Sequence, residues 1–346
     1  MTRLLINGVA VRNTSRGGRR YFAGVLKHLA WPDTVQFDEP AVTPRLQRIA
    51  ELGRRGAKDS IYWTPNQRGP LLAHNHVVTV LDCINIEYTY RNDWRLPLIK
   101  GLTQLVLNNA VAITTISVAT RNVLLSHYDV PAEKVLAIPG PVILDDTAFS
   151  NPGEAASKSE RPDPAVSDAP FFLMVLNALP HKNSLNAVRA FIRSRAPATG
   201  ISLRIVGDVT EQAKAEANAA NVPLDIRSNI NDATLGAWYR SCIALISPSF
   251  SEGLNLPIAE ALGEGSEVIC SSIPVHREFY NGCVSFFEPN DVDELVTLID
   301  DFILGRAKLA GSWFAAPRPD YAIVANRYCG LFNDIGSGLG QISRVY

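Results

Sequence analysis

Short apolar runs alternate with longer amphipathic stretches throughout the chain, and the alternation occurs twice, on either side of one aperiodic segment. Strands that alternate with helices at this spacing form parallel sheets, because each helix carries the chain back to the same end of the sheet. The aperiodic segment, residues 145–170, is rich in Ser, Pro, Ala, Asp and Glu and reads as an exposed linker. Before it, the pattern predicts strands at 3–6, 60–63, 76–81, 112–116 and 134–138, with helices at 19–29, 96–109 and 118–127. After it, strands are expected at 171–175, 202–206, 224–227, 244–247 and 267–271. Helices are expected at 184–195, 210–220, 232–242, 257–263, 291–304 and 321–335. The fold class is therefore α/β, with two consecutive Rossmann-like domains and a cleft between them. Ligands of open parallel sheets bind beyond the carboxyl ends of the strands, so the loops that follow strands are the ones to inspect.

Composition removes several function classes. A net charge of -1 supplies no surplus of Lys and Arg for counterion release, so nucleic acid is not an expected partner. The cysteines Cys83, Cys242, Cys270, Cys283 and Cys329 are scattered without a CxxC pair, and are expected as mostly buried, reduced thiols. The apolar run Leu4-Leu5-Ile6 is too short for a signal peptide, and no stretch approaches the roughly 20 apolar residues of a membrane span. The expectation is a cytoplasmic protein, at most peripheral to the inner membrane face. The apolar, lightly basic helix at 95–109 is the one element suited to a membrane surface, although a core helix explains it as well.

The most informative stretch is Ser247-Pro248-Ser249-Phe250-Ser251-Glu252-Gly253-Leu254-Asn255-Leu256-Pro257-Ile258-Ala259-Glu260-Ala261-Leu262. It leaves an apolar strand and enters a helix marked by Pro257, a residue preorganised for the first helical turn. The backbone N–H groups of Leu254, Asn255 and Leu256, with the helix dipole, form an anion site suited to a pyrophosphate. Glu260, a turn into the helix, has the reach to accept two hydrogen bonds from a ribose diol. Glu252, on the loop, is free to face the sugar at the other end of the same ligand. An ordinary strand–loop–helix with two solvated glutamates is the competing reading, and the Gly253 and Pro257 flanks count against it.

This stretch resembles the E-x7-E element of the retaining glycosyltransferases with the GT-B fold, the "glycosyl transferases group 1" type and its mannosyltransferase-like bacterial branch, where it commonly reads EGFGLPxxEA. Other segments follow in matching order. Phe172-Leu173-Met174-Val175-Leu176-Asn177-Ala178-Leu179-Pro180-His181-Lys182-Asn183 is similar to the family's VGxLxPxKN stretch, in which the lysine neutralises donor phosphate; Lys182 is that candidate here. Ile205-Val206-Gly207-Asp208 resembles the strand-end glycine beside the nucleotide, and Ser15-Arg16-Gly17-Gly18-Arg19-Arg20-Tyr21 the short glycine loop that approaches the sugar-phosphate. Taken alone, a strand-end glycine or a Gly-Gly turn is common in any α/β protein.

The resemblance implies an acceptor domain over residues 1–160, joined by a last helix at about 318–346 that crosses back onto it, and a donor domain over 161–317. It implies a metal-independent hexosyltransferase, without a cofactor, that moves a sugar with retention from a GDP- or UDP-sugar to a glycan or lipid-linked glycan. Two departures bear on activity. Asn177 stands where relatives often carry arginine, so one phosphate charge is met elsewhere, with Arg16 or Arg19 as candidates, or is left to solvent. Leu81 stands where relatives carry histidine before Asp82, so Asp82 becomes the candidate catalytic group on that loop. The six histidines form no ligand-spaced set, and no Asp-x-Asp ends a strand, so the reading includes no metal. Two rivals stand beside it: a GT-B-fold nucleotide-sugar epimerase, and a non-catalytic glycan- or nucleotide-sugar-binding subunit suggested by Leu81 and Asn177. A nicotinamide-dependent dehydrogenase is disfavoured, because no G-x-G-x-x-G follows the first strand of either half.

Overall fold

The computed structural model describes residues 3–31, 35–40, 44–89, 92–143, 169–307, 313 and 318–338. Nearly all of the linker expected at 145–170 lies outside the described residues. The chain divides into two compact units, Met1–Ala148 with Arg318–Tyr346, and Phe149–Pro317.

In the first unit the chain runs through β1 (Arg3–Asn7), α1 (Gly8–Arg12), α2 (Arg16–His28), β2 (Val35–Asp38), α3 (Pro44–Leu52), β3 (Ser60–Thr64), β4 (His76–Val80), α4 (Leu96–Asn109), β5 (Ala112–Thr115), α5 (Val118–His127) and β6 (Val135–Ala137). Its six strands form one parallel sheet in the order β2-β1-β3-β4-β5-β6. The second unit holds β7 (Phe171–Leu176), α6 (Ser184–Arg193), β8 (Ser202–Gly207), α7 (Glu211–Ala219), β9 (Leu224–Arg227), α8 (Asp232–Ser241), β10 (Leu245–Ser247), α9 (Leu256–Gly263), β11 (Val268–Ser271), α10 (Pro274–Tyr280), β12 (Ser285–Phe287) and α11 (Val292–Ile303). Its parallel sheet has the order β12-β11-β10-β7-β8-β9. The last helix, α12 (Tyr321–Gly336), returns to the first unit. Two parallel six-stranded sheets with covering helices are the architecture of the GT-B fold.

The alternation that predicts parallel sheets holds because both faces of each sheet are covered. β3 and β4 are buried at every position, as strands between two helical layers must be. Of the elements the pattern does not predict, α1, β2, β12 and α10 have a local cause. Asn7 turns the apolar run after β1 into α1, its Oδ1 accepting the Ala10 N–H at 3.0 Å. β2 is an edge strand exposed at three of its four positions, so it carries no apolar run. β12 has three residues and α10 seven, too few for a period to show.

One expectation is corrected here. The helix expected from residue 19 starts earlier: the Ser15 hydroxyl accepts the Gly18 N–H at 3.1 Å and α2 begins at Arg16, so Gly17 and Gly18 lie in its first turn. A Cβ on Gly18 would stand 2.1 Å from Thr14 Cγ2 and 2.8 Å from Leu81 Cδ1, so the glycine allows Leu81 to pack against the helix start. Arg19 is also committed locally, donating to the carbonyl of Thr14 at 2.8 Å.

α12 docks through aromatic packing and a buried hydroxyl cluster. Trp63 is fully buried, with its ring 4.7 Å from Tyr328 and 5.2 Å from Phe332. The Tyr328 hydroxyl meets those of Thr79 and Thr114 at 3.1 Å each and that of Tyr21 at 3.3 Å. Burial raises the Tyr328 phenol above its ordinary range, so it stays protonated. Tyr328→Phe keeps the ring and leaves three hydroxyls short of a partner. Denaturant unfolding of that variant is expected to show a loss of about 1–3 kcal/mol, and an unchanged midpoint would count against the cluster as the anchor of α12.

Candidate active site at the strand-order switch of the second unit

Read from β9 to β12, the second sheet has the order three-two-one-four-five-six, so the winding reverses between β7 and β10. At such a reversal the connections leave towards opposite faces and open a crevice beyond the carboxyl ends of the two strands. Lys182 follows β7 and Glu252 follows β10.

The loop after β7 makes one tight turn, Pro180–Lys182. It then passes through Asn183 in the left-handed region, φ 53°, which asparagine tolerates better than other side chains. The Asn183 amide donates to the carbonyls of Pro248 at 3.0 Å and Pro289 at 2.8 Å. The Phe250 N–H donates to the His181 carbonyl at 2.7 Å. These bonds stitch the two loops together and bring Lys182 Nζ to 2.6 Å from Glu252 Oε1, an oxygen that also accepts the Ser249 hydroxyl at 2.6 Å. The Glu252 side chain is 8% exposed and that of Lys182 18%. Burial pushes the Glu252 carboxyl up, but the Lys182 ammonium and the Ser249 hydroxyl override it and hold the group below its usual range. Burial, then the Lys182 charge, drives the His181 imidazole down to about 4, so it is neutral at pH 7.

Asn255, directly before α9, also adopts the left-handed region, φ 65°. Its side chain does not cap the helix. The amide donates instead to Ser247 Oγ and to His276 Nε2, each at 2.8 Å. His276 is fully buried and gives its Nδ1–H to the Ser271 carbonyl at 2.8 Å, which fixes the tautomer. Burial holds this imidazole down to about 4. One turn further along α10, the Tyr280 hydroxyl bonds the carbonyls of Leu254 at 3.0 Å and Asn255 at 3.2 Å. α10 therefore clamps the loop ahead of α9, and the Asn255 side chain makes no capping hydrogen bond to the helix start. The first-turn N–H groups and the helix dipole make that end electropositive.

Lys182, Glu252, Gly253, Leu254, Asn255 and Leu256 thus form one constellation. Glu252 is not free, as the sequence suggests, but ion-paired. Glu260 lies behind it in α9, 6% exposed, with Oε2 accepting the Tyr239 hydroxyl at 2.9 Å. Gly207 ends β8 at φ 111°, where a Cβ would fall 1.9 Å from the Leu176 carbonyl oxygen, so both the backbone conformation and the packing of this strand end require glycine. Asp82, like Gly17 and Gly18, belongs to the first unit, where its Oδ1 accepts the Ile84 N–H at 3.1 Å.

Sequence reasoning missed His276 and Tyr280, although their spacing of four places both on one face of a helix opened by Pro274. The cysteines also differ from expectation: all five are thiols, but only Cys83 and Cys270 are buried. Among the described residues no group of three His, Cys, Asp or Glu side chains is placed to hold a metal ion. No helix among them is long and apolar enough to cross a membrane.

Residues 157–313 match the family described as Glycosyl transferases group 1. The chain is 25% identical over 268 residues to a D-inositol 3-phosphate glycosyltransferase of Arthrobacter sp. (strain FB24), covering 70% of this chain and 61% of that protein. It is 25% identical over 186 residues to the O-antigen chain mannosyltransferase RfbU of Salmonella typhimurium, covering 52% of this chain and 47% of the relative. It thus spans under two thirds of the length of either. An α,α-trehalose-phosphate synthase (UDP-forming) from Burkholderia vietnamiensis superposes with a TM-score of 0.66 at 12% identity, over 98% of this chain and 99% of that one, a likeness of fold.

Two pH-dependent outcomes follow from the buried groups. In the native protein the Glu252 carboxyl lies below its unfolded value of 4.5, so its contribution is present above that pH and is lost as pH falls through the folded pKa. Lys182→Ala removes the ammonium and leaves burial in control, raising the folded pKa above the unfolded one. The variant is expected to be less stable by about 3 kcal/mol at pH 7. Its Tm deficit should shrink between pH 8 and 5 as the carboxyl takes a proton, and a pH-independent deficit would refute the pairing. For His276, a folded pKa of about 4 against 6.5 means that stability is full above pH 6.5 and lost on the way down to 4, by about 3 kcal/mol. His276→Gln should flatten that part of the stability profile, and identical slopes for variant and parent would contradict the assignment.

Proposed function

We propose that this chain, whose second unit carries a group 1 glycosyltransferase domain, transfers a hexosyl group from a nucleoside-diphosphate sugar to a glycan or lipid-linked glycan acceptor, with retention and without a metal ion. The observation that carries this reading is the part-buried Lys182–Glu252 pair beside the start of α9, which Asn255 does not cap, at the reversal of strand order. The pyrophosphate of the donor binds at the N–H groups of Leu254, Asn255 and Leu256, where helix dipole and exposed donors favour an anion. Lys182 has three N–H donors, so it can hold Glu252 and a phosphate oxygen together. Glu260 serves the ribose end and Glu252 the sugar end.

In the reaction the bond from the anomeric carbon to the β-phosphate oxygen breaks, and the acceptor oxygen bonds the same face of that carbon. The acceptor proton passes to the leaving phosphate oxygen. The negative charge that grows on the pyrophosphate is met by Lys182 and the α9 N-terminus, groups fixed before the substrate arrives, and this is the condition for effective electrostatic stabilisation. The clamp by His276 and Tyr280 supplies that fixity. Asp82, Gly17 and Gly18 serve the acceptor side on this reading.

The second reading, a non-catalytic sugar-nucleotide-binding subunit, is favoured by Leu81, whose packing against the first turn of α2 leaves no polar side chain at that position. Donor hydrolysis or transfer by the purified protein separates the two, since a binding subunit shows neither.

Four outcomes are expected of the transferase. Lys182→Ala weakens nucleoside-diphosphate affinity by about 1.5–3 kcal/mol, the worth of a charge-assisted hydrogen bond, and unchanged affinity in a titration would sink that role. Activity survives EDTA; loss on chelation with rescue by manganese or magnesium would overturn the metal-free scheme. Glu252→Gln lowers kcat by about two orders of magnitude, as loss of one preorganised contact does. Glu260→Gln chiefly raises the donor KM, because a ribose contact is alike in ground and transition states. Small, equal effects in steady-state kinetics would return both glutamates to structural roles.

A further inference from the structure

The first unit contains a cavity of about 460 Å³ that opens to the surface. Protein interiors hold few voids larger than a water molecule, and a cavity of this size lies in the roughly 300–1,000 Å³ range of small-molecule sites. Its walls differ from end to end. Towards the carboxyl ends of β3 and β4 it is lined by Gln67, Arg68 and Asp82; beneath α4 it is lined by Ile86, Leu98, Leu102, Val106, Leu124 and Tyr128. Val106 and Leu124 are buried core residues, whereas Leu98 is 62% exposed and Trp94, also on the wall, 85%. The apolar end therefore runs from the core out to the surface. Asn85 and Ile86, on the same wall, belong to a π-helical turn, Asn85–Thr89, a geometry that recurs at functional sites.

A hollow that is polar at the carboxyl end of its sheet and apolar along a helix fits one kind of ligand. We propose that it holds an amphiphile whose hydroxylated head lies among Gln67, Arg68 and Asp82 and whose alkyl chain lies under α4. Resting on the transferase reading, this makes the acceptor a glycan carried on an apolar chain. A bare oligosaccharide would leave some of the apolar wall in contact with water or with sugar hydroxyls, losing the area gain that an alkyl chain collects.

A series of n-alkyl β-D-glucosides, butyl to dodecyl and each below its micelle concentration, tests this by calorimetric titration against the full chain. Affinity is expected to rise about fourfold per methylene, which is ~0.8 kcal/mol, and then to level off once the cavity is filled. Leu98→Glu, at an exposed position, should cut octyl glucoside affinity at least tenfold while Tm and nucleoside-diphosphate binding stay unchanged. Leu102→Trp should move the plateau to shorter chains. Absence of glucoside binding at every length overturns the proposal, as does wild-type affinity in Leu98→Glu. A gain that continues without a plateau, together with co-sedimentation on anionic phospholipid vesicles that Leu98→Glu abolishes, overturns it in favour of α4 lying on a bilayer. Nucleoside-diphosphate affinity measured on the same preparation reports on the transferase reading separately. A protein that takes glucosides but no nucleoside diphosphate removes that reading and the word acceptor, while the cavity assignment stands.

Discussion

The Lys182 ammonium and the Glu252 carboxylate lie 2.6 Å apart with little water around either, and much of the second unit is arranged so that they can. Removing an ion from water costs several kcal/mol even after relaxation, and the attraction to a partner recovers that only when the geometry is good and the remaining hydrogen bonds are made. Here the geometry is supplied by backbone. The Asn183 amide spans two loop carbonyls, and the Phe250 N–H bonds the His181 carbonyl, so the two loops that carry the charges form one surface. Ser249 gives Glu252 a second donor. Without these, each charge would be an isolated buried ion and the fold would exclude it.

The same loops hold a second unusual feature, left-handed backbone at two asparagines, Asn183 and Asn255. A non-glycine residue there is tolerated only where surrounding contacts over-determine it. For Asn255 those contacts come from α10 through His276 and from β10 through Ser247, while Tyr280 secures the consecutive carbonyls of Leu254 and Asn255. A buried neutral imidazole suits this task because it offers one donor and one acceptor in fixed directions. The result is a helix start that the Asn255 side chain does not cap, which is the property the proposed pyrophosphate site needs.

Both sheets and most of their helices were legible in the sequence because strands covered on both faces read as apolar runs. β3, β4 and β7 show this directly. β2 was not legible, since an exposed edge strand has no apolar face to reveal it. α1 was hidden by a single side chain: Gly8–Arg12 reads apolar and β-prone, and only the Asn7 cap selects a helix. At the site, the positions of Lys182 and Glu252 after their strands could be read from spacing, and so could the helix start at Pro257. Their ion pairing could not. It depends on strand order, and nothing local in the sequence states that β10 lies beside β7 while β8 lies on the other side. His276 escaped for a related reason, because its partner Asn255 is distant in sequence and meets it only after β11 has paired with β10.

Strand order also explains why the two units use their carboxyl ends differently. In the second sheet the reversal falls between β7 and β10, and the charged residues stand at that point. In the first sheet it falls between β1 and β3, and α1 and α2 fill the ground beyond β1. Asn66 locks them there, its amide donating to the Ala10 carbonyl and the Thr14 hydroxyl at 2.9 Å each. Space is left further along, beyond β3 and β4, where Gln67, Arg68 and Asp82 line the cavity under α4. Beyond β1 the start of α2 packs closely, Gly18 against Thr14 and Leu81. Leucine at position 81 is then a packing residue against the start of α2, while its neighbour Asp82 accepts the Ile84 N–H and lines the cavity.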